Sequence, residues 1–384
     1  MKTYKIYYSY NELPDNWDHL VSHDIFLTSH YLKALEEASP ANIQLFYFGI
    51  FNKNELIGAA IVQRVQLYLK DMFRQTKVSC LKEFVRNTIS KVLKGNMLVV
   101  GNMTQTGQHG MFFNSDKISQ NDYLNIVFEG VEALKKQIKE KQHKHIRAIM
   151  LKDFFEDDGI HEAHTFFENQ RLYKVKVQPN MAMSIRAHWI KMEDYVGDFN
   201  KKYRDRYKRA RKKLEKITCR ELDVETIEKS SGVLHKYYLN VSNNAKFNTF
   251  LLPENHFCKL KSELKESFKV YGYYSENELI GFFSLILNDK HLETYFLGYD
   301  EAHQYPNQLY LNMLYDMANF AIENKFNYVV YARTAMEIKS SVGAKPKQMV
   351  IYLKHTNSLL NAVLKYVFNL MDPTQKWEER HPFG

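Results

Sequence analysis

The sequence has few cysteines and no long apolar run. Its three cysteines, Cys80, Cys219 and Cys258, are too few and too widely spaced for a disulfide framework or a cysteine-rich zinc site. The first residues lack the apolar core of a signal peptide, and no stretch reaches the roughly 18 apolar residues of a spanning helix. Fifteen histidines occur, but none has the spacing of a metal motif such as H-E-x-x-H. We therefore expect a cytoplasmic protein without a metal site.

Positive charge is concentrated in two segments. The 384 residues carry a formal net charge of +9, of which residues 201–216 supply +8 and residues 64–95 supply +6, so the remainder carries −5. This distribution indicates local anion sites on an acidic body, which argues against a broad nucleic-acid footprint. The 45% hydrophobic and 25% charged content is that of a globular protein, and the length predicts two domains.

An internal repeat supports the two-domain prediction. Residues 47–62 and 270–285 share Gly49 with Gly272 and the string N-E-L-I-G at a constant offset of 223 residues. Each copy contains two β-rich runs around a polar turn, which is the signature of a hairpin.

A strand, a helix and a second strand are then predicted in each half. Apolar residues recur at steps of three and four in both helices, from Leu124 to Ile138 and from Leu309 to Ala321. A helix that crosses between two strands makes those strands parallel neighbours in a mixed sheet, so the fold class is α/β with two tandem domains. The predicted elements are strand 97–103, helix 121–141 and strand 146–151, then strand 292–299, a loop, helix 307–324 and strand 328–331.

The two halves differ by an insertion at residues 64–95. Its part from Leu81 to Leu93 has one apolar face and one basic face. This pattern fits an interfacial helix on an anionic membrane, and it fits equally a helix that covers its own domain. Both interpretations stay open.

The order of elements and several strings resemble the GNAT-fold acyltransferases in their tandem form, the branch of the Fem-type (FemABX) peptidoglycan aminoacyltransferases and related bacterial GNAT family N-acetyltransferases. The strings are K-Y-R-D-R-Y-K-R-A-R-K-K-L at 202–214, P-N-M at 179–181, A-R-T-A-M-E-I-K-S-S-V-G-A at 332–344 and W-E-E-R-H-P-F at 377–383. The resemblance covers essentially the whole chain and implies domains at 1–178 and 179–384. It also implies acyl transfer from an activated donor to an amine, with the cleft in or beside the second repeat.

The phosphate-binding string R/Q-x-x-G-x-G/A of ordinary GNAT enzymes is absent from both predicted loops. Another phosphate clamp is therefore needed if the donor is acyl-CoA, acyl carrier protein or aminoacyl-tRNA. The basic helix 200–216 is the candidate, because arginine and lysine on one face bind a di- or polyphosphate. A solvated lysine-rich helix is the alternative. The candidate phosphate ligands on this helix are Lys202, Arg204, Arg206, Arg209 and Lys213.

A second candidate constellation follows the last predicted strand. Arg333, Glu337 and Ser340 lie where open α/β sheets bind ligands, and we count them as substrate-binding candidates. Lys339 matches in position a lysine of the Fem-type enzymes, and the resemblance implies a cation that stabilises the tetrahedral intermediate. The alternative is that Glu337 pairs with Arg333 or Lys339 and holds the turn.

Two residues are candidates for the base that deprotonates the amine. Glu293 matches the strand position from which many GNAT enzymes draw a glutamate, although most strand glutamates face solvent. His109 lies in the glycine-flanked loop G-Q-H-G, where the backbone can approach a ligand.

The leading prediction is a cytoplasmic N-acyltransferase, peripheral to the inner membrane face if the insertion binds lipid. It uses acyl-CoA or acyl carrier protein as co-substrate, holds no permanent cofactor and acylates a lipid or cell-envelope amine. The first alternative is a Fem-type aminoacyltransferase that uses charged tRNA and a peptidoglycan precursor. The second is a non-enzymatic nucleic-acid-binding module built on residues 201–216.

Overall fold

The structure is a computed structural model that describes residues 2–67, 95–244, 248–362 and 377–383. The chain forms two compact units. Unit 2 differs from the predicted second domain, because residues 246–252 and 348–374 belong to unit 1. Unit 1 comprises residues 1–178, 246–252 and 348–374, and unit 2 comprises residues 179–245, 253–347 and 375–384.

Unit 1 is built on a mixed sheet in which the strand order is β1-β2-β3-β4-β6-β13, with the short β5 paired to β3. The pair β4 and β6 is parallel and the other pairs are antiparallel. Its elements are β1 (Lys2–Tyr7), α1 (Trp17–Val21), α2 (Ser29–Glu37), β2 (Ile43–Asn52), β3 (Glu55–Leu67), β4 (Gly95–Val100), β5 (Met111–Phe113), α3 (Gln120–Gln142), β6 (Ile146–Phe155), α4 (His164–Asn169) and β13 (Lys345–His355), which pairs with β6 from Met349 onward.

The strands of unit 2 follow one another in the order β8-β9-β10-β11-β12-β7. Here β11 and β12 are the parallel pair. Its elements are β7 (Tyr173–Ser184), which pairs with β12 from Met181 onward, α5 (Met192–Gly197), α6 (Lys201–Lys212), β8 (Ile217–Glu221), α7 (Val224–Lys229), α8 (Ser231–Asn243), α9 (His256–Leu264), β9 (Phe268–Ser275), β10 (Glu278–Asn288), β11 (His291–Tyr299), α10 (Glu301–Asn307), α11 (Leu309–Glu323), β12 (Tyr328–Ala332) and α12 (Met336–Ser340).

The strands of the two units have the same order and the same pairing directions, so the duplication predicted from the sequence is confirmed. In each unit a hairpin is followed by a strand, a crossover helix and a parallel strand. The sixth strand of each unit comes from the part of the chain that follows the other unit's repeat. Strand β13, late in the chain, completes the sheet of unit 1, and β7, which directly follows the first repeat, completes that of unit 2.

Both crossover helices bury the apolar stripes that were predicted. In α3 the residues from Leu124 to Ile138 at helical spacing lie in the core of unit 1. In α11, Leu309, Met313 and Met317 lie in the core of unit 2. Burying a leucine or methionine side chain fully contributes about 1.5–3 kcal/mol relative to exposure, which fixes both helices on their sheets.

The predicted loop before the second crossover helix is itself helical. Asp300 accepts a hydrogen bond from Ala302 N at 2.8 Å and caps α10. Gln308 then adopts a left-handed conformation with φ 49° and separates α10 from α11. The predicted helix at Leu81–Leu93 lies outside the described residues.

Candidate functional site

Strands β11 and β12 separate at the centre of unit 2. Their parallel pairing runs from His291↔Tyr328 to Glu293↔Val330, although β11 continues to Tyr299. On its other edge β12 pairs with β7 from Tyr328 to Ala332. A register shift also interrupts the pairing of β11 with β10 between Phe283 and Leu285. The two strands therefore open towards their carboxyl ends, the position at which open α/β sheets bind ligands.

Glu293 lies at the last rung before this opening, and its residue exposure is 3%. The alternative that this strand glutamate faces solvent is wrong. Tyr295 is two residues further along β11 and shares its face of the sheet. The Tyr295 hydroxyl lies 2.9 Å from Nε2 of His256 at the start of α9, and the two rings stack. One face of β11 thus combines a buried carboxylate with a hydrogen-bonded tyrosine–histidine pair.

The turn after β12 has a strained backbone. Ala332, Thr334 and Ala335 have φ angles of 56°, 65° and 46°, a region that residues with a Cβ rarely adopt. Each such residue costs on the order of 1–3 kcal/mol, and this strain concentrates at functional sites. Lys339 of α12 stabilises the turn, because its Nζ donates to the carbonyl oxygens of Arg333 at 2.6 Å and Ala332 at 3.3 Å.

Burial governs the charge of Lys339. The residue is 6% exposed. Desolvation lowers the pKa of its amine from the ordinary 10.5 to about 7. The oxyanion role implied by the resemblance stays a prediction. The geometry itself gives Lys339 a positioning role, because both carbonyl contacts are within its own turn.

The last described segment, residues 377–383, packs against α12. Arg380 forms an ion pair with Glu337, and its backbone N donates to Oγ of Ser340 at 2.9 Å. The alternative in which Glu337 pairs with Arg333 or Lys339 is therefore not what the structure has, because the ion-pair partner of Glu337 is Arg380. Phe383 packs so closely on Gly343 (φ 99°) that an added Cβ would lie 2.4 Å from its ring. The strings at 332–344 and 377–383, which carried the resemblance in the sequence, therefore pack against each other.

The predicted basic helix is α6, and its N-terminus is tied to the same segment. Asn200 caps the helix through Tyr203 N, and its own backbone N donates to Pro382 O at 2.8 Å. At the other end Arg211 forms an ion pair with Asp316 of α11 at 2.5 Å. Burial opposes the charge of Arg211, but the neighbouring Asp316 outweighs it and raises the pKa of the guanidinium.

The remaining cations of the predicted face lie on α6 or, for Lys213, directly after its last residue. Lys202, Arg209 and Lys213 are exposed and Arg206 is half-buried. In the part of the chain that the structure describes, none of these four pairs with a carboxylate. Arg204 donates to Phe199 O at 2.9 Å. The predicted face is thus available to an anion, while Arg211, which the sequence did not single out, anchors the helix.

His109 lies in unit 1. Its Nδ1 is 2.9 Å from Oδ2 of Asp24, and its ring packs on Phe26 at 4.5 Å between centroids. Burial acts to raise the pKa of Asp24, but the charge of His109 and the hydrogen bonds to the carboxylate outweigh it and lower that pKa. The histidine is held in place by these neighbours, and its catalytic role stays a prediction.

Comparison with solved structures shows which fold this is. The structure of FemX matches with a TM-score of 0.56 at 10% identity, covering 95% of this chain and all of that one. A tandem GNAT protein from the clavulanic acid biosynthesis pathway matches with a TM-score of 0.51 at 8% identity, over 93% and 99% of the two chains. This chain has the tandem GNAT fold. No family model matches the sequence, and no curated protein matches it.

In this tandem GNAT chain, sequence reasoning missed three site residues. Tyr295 could have been found from its spacing of two from Glu293 on a predicted strand. His256 and Asp316 come from other elements, and no local pattern marks them. Among the residues that the structure describes, no group of three or more His, Cys, Asp or Glu side chains could hold a metal ion. Nor is any described helix both long and apolar enough to cross a bilayer.

Proposed function

We propose that this protein is an N-acyltransferase that transfers an acyl group from acyl-CoA or acyl carrier protein to a primary amine. The observation that carries the proposal is the placement of Glu293 at the rung where β11 and β12 separate. A separated strand pair offers unpaired backbone groups to an acyl carbonyl, and the carboxylate beside it can accept a proton.

The donor is held through its phosphates by α6. Lys202, Arg206, Arg209 and Lys213 form a cationic face without internal carboxylate partners among the described residues. Arginine binds phosphate oxygens bidentately and lysine binds them as a point charge, so this face substitutes for the missing glycine-rich string. Arg333, which follows the opening in sequence, is a further candidate for the donor or acceptor.

The chemistry is direct transfer. Glu293 takes a proton from the substrate ammonium, and the neutral amine nitrogen attacks the acyl carbonyl. An N–C bond forms as the C–S bond of the thioester breaks, and the leaving thiolate takes up the second proton of the amine. The Tyr295 hydroxyl, which is hydrogen-bonded to His256, is proposed to pass this second proton from the amine to the thiolate. Lys339 keeps the turn at 332–335 in position.

The substrate amine is proposed to be a lipid or cell-envelope amine with a long chain. The 26 tyrosines, 25 phenylalanines and three tryptophans favour a bulky partner over a small metabolite. The segment 68–94, in which the amphipathic pattern occurs, lies outside the described residues, so peripheral contact with an anionic membrane rests on the sequence pattern.

The test is thiol release from acyl-CoA with a panel of primary amines, with amide formation followed by mass spectrometry. We expect Glu293→Gln to lower kcat by about 10²–10⁴-fold, the usual contribution of a general base. Its rate should recover as pH rises, because more of the substrate amine is then already neutral. Glu278→Gln, on an exposed strand position of β10, is the matched control and should leave kcat unchanged.

Three results would overturn the proposal. Equal rates in the wild type and Glu293→Gln would show that Glu293 is not the general base. Turnover of aminoacyl-tRNA in place of acyl thioesters would favour the Fem-type alternative. Tight, salt-sensitive binding of DNA and RNA without any transfer would favour the nucleic-acid-binding module.

A further inference from the structure

Unit 1 contains a cavity at the position that corresponds in topology to the β11–β12 opening of unit 2. The parallel pairing of β4 and β6 ends at Val100↔Leu151, and β6 continues to Phe155. A cavity of about 360 Å³ lies beyond this pair, between the strand ends and the first turn of α3. This volume is within the range of small-molecule sites, about 300–1,000 Å³.

The walls of the cavity are mainly aromatic and aliphatic. Met111, Phe112, Phe113, Tyr123 and Phe154 contribute to them. The rings of Phe113 and Tyr123 stack at 4.8 Å, and the Tyr123 hydroxyl donates to Ala59 O at 2.6 Å. The polar end of this tyrosine is therefore satisfied within the protein, and an alkyl chain would bury apolar surface against the rings.

Two charged residues line the cavity, and only one leaves a net charge there. Lys152 is paired with Asp153, and its Nζ also donates to Gln105 O at 2.7 Å, so its charge is compensated inside unit 1. Asp158 is different, because its carboxylate accepts from Ile160 N at 2.7 Å and from the neutral amide of Gln108. The lining therefore has a net negative charge, which disfavours phosphate or carboxylate and favours a cation.

We propose that this cavity is a second binding site, which takes a primary alkylammonium with its chain against the aromatic wall and its charged head at Asp158. This site differs in charge from the cationic face of α6, so the two repeats recognise different chemistry. The proposal does not depend on the proposed acyl transfer.

The test is calorimetric titration of the full chain with octylammonium, octanol and octanoate. We expect octylammonium to bind most tightly, octanol more weakly and octanoate not at all. Asp158→Asn keeps an oxygen for Ile160 N and should weaken octylammonium binding by about 10- to 150-fold, which is the loss of about 1.5–3 kcal/mol for a hydrogen bond to a charged group. The octanol affinity should not change. Asp157→Asn removes the same charge from an exposed neighbour and should have no effect.

Three outcomes would overturn the proposal. Octanoate binding as tightly as octylammonium to the wild type would show that the lining does not select a cation, and this result needs no variant. Equal effects of Asp157→Asn and Asp158→Asn on octylammonium affinity would show that only the overall charge of the protein matters, and that Asp158 does not bind the head group. Loss of octylammonium binding in Glu293→Gln, with binding retained in Asp158→Asn, would place the amine in unit 2, as an acceptor for the proposed transfer.

Discussion

Replacing Lys339 by methionine tests how the buried amine shapes the site. Desolvation lowers the pKa of Lys339 from 10.5 to about 7. At 1.36 kcal/mol for each pH unit, holding the charged form in the folded protein costs about 5 kcal/mol. The two carbonyl oxygens that accept from Nζ favour the charged form, so this is an upper value. Below pH 7 the amine is charged in both states and the full cost is present.

The sign of the pH dependence follows from proton binding. Between pH 7 and 10.5 the unfolded chain keeps the proton and the folded chain has released it, so the stability of the wild type rises with pH. Lys339→Met has no such group. The stability of the variant relative to the wild type should therefore fall by up to about 4 kcal/mol from pH 7 to pH 10. At pH 10 the variant should be the less stable protein, because the carbonyls of Ala332 and Arg333 lose their donor.

Urea unfolding of both proteins at several pH values between 6 and 10 measures this difference. Lys290→Met is the matched control, because Lys290 is exposed in the turn between β10 and β11, and its difference from the wild type should not vary with pH. A constant difference for Lys339→Met as well would refute the reasoning, since it would mean that the amine stays charged in the folded protein.

Three further predictions concern α6 and the strand that carries Glu293. Arg211→Ala should lower the free energy of unfolding by about 2–3 kcal/mol in urea titration, because Asp316 loses its ion-pair partner and keeps the Tyr273 hydroxyl. Lys229→Ala, from the exposed pair with Glu225, should cost under about 0.5 kcal/mol. Joint replacement of Arg206 and Arg209 by alanine should raise the KM for acyl-CoA with little change in kcat. The rise in KM should become smaller above about 0.5 M salt. A fall in kcat larger than the rise in KM would contradict a donor-binding role. Gly298→Ala should destabilise unit 2 strongly in the same titration, because its Cβ would lie 2.4 Å from the backbone of Tyr237 in α8, whereas Gly197→Ala meets nothing within 4 Å; equal stabilities of the two variants would contradict this packing.

The sequence predicted the repeated core because its signals are local. The hairpins at 47–62 and 270–285, the parallel pairs and the stripe from Leu124 to Ile138 follow from periodicity and an internal repeat. The same holds for α6, whose cap at Asn200 and cationic face are visible in the sequence.

The exchanged strands and most of the site could not be predicted in this way. Nothing local in residues 345–355 shows that they complete the first sheet, because strand pairing across 190 or more residues leaves no periodic signal. The partner of Glu337 is Arg380, more than 40 residues away, and the lowered pKa of Lys339 depends on burial that only the folded turn supplies. The cavity of unit 1 collects residues from β4, β5, α3 and β6.

The most direct test of the central claim is a crystal structure with a non-transferable acyl-CoA analogue. The account predicts the acyl carbonyl between β11 and β12, beyond the rung formed by Glu293 and Val330, with the pyrophosphate at Arg206 and Arg209 of α6. An analogue bound in the cavity of unit 1, or a phosphate group remote from α6, would contradict it.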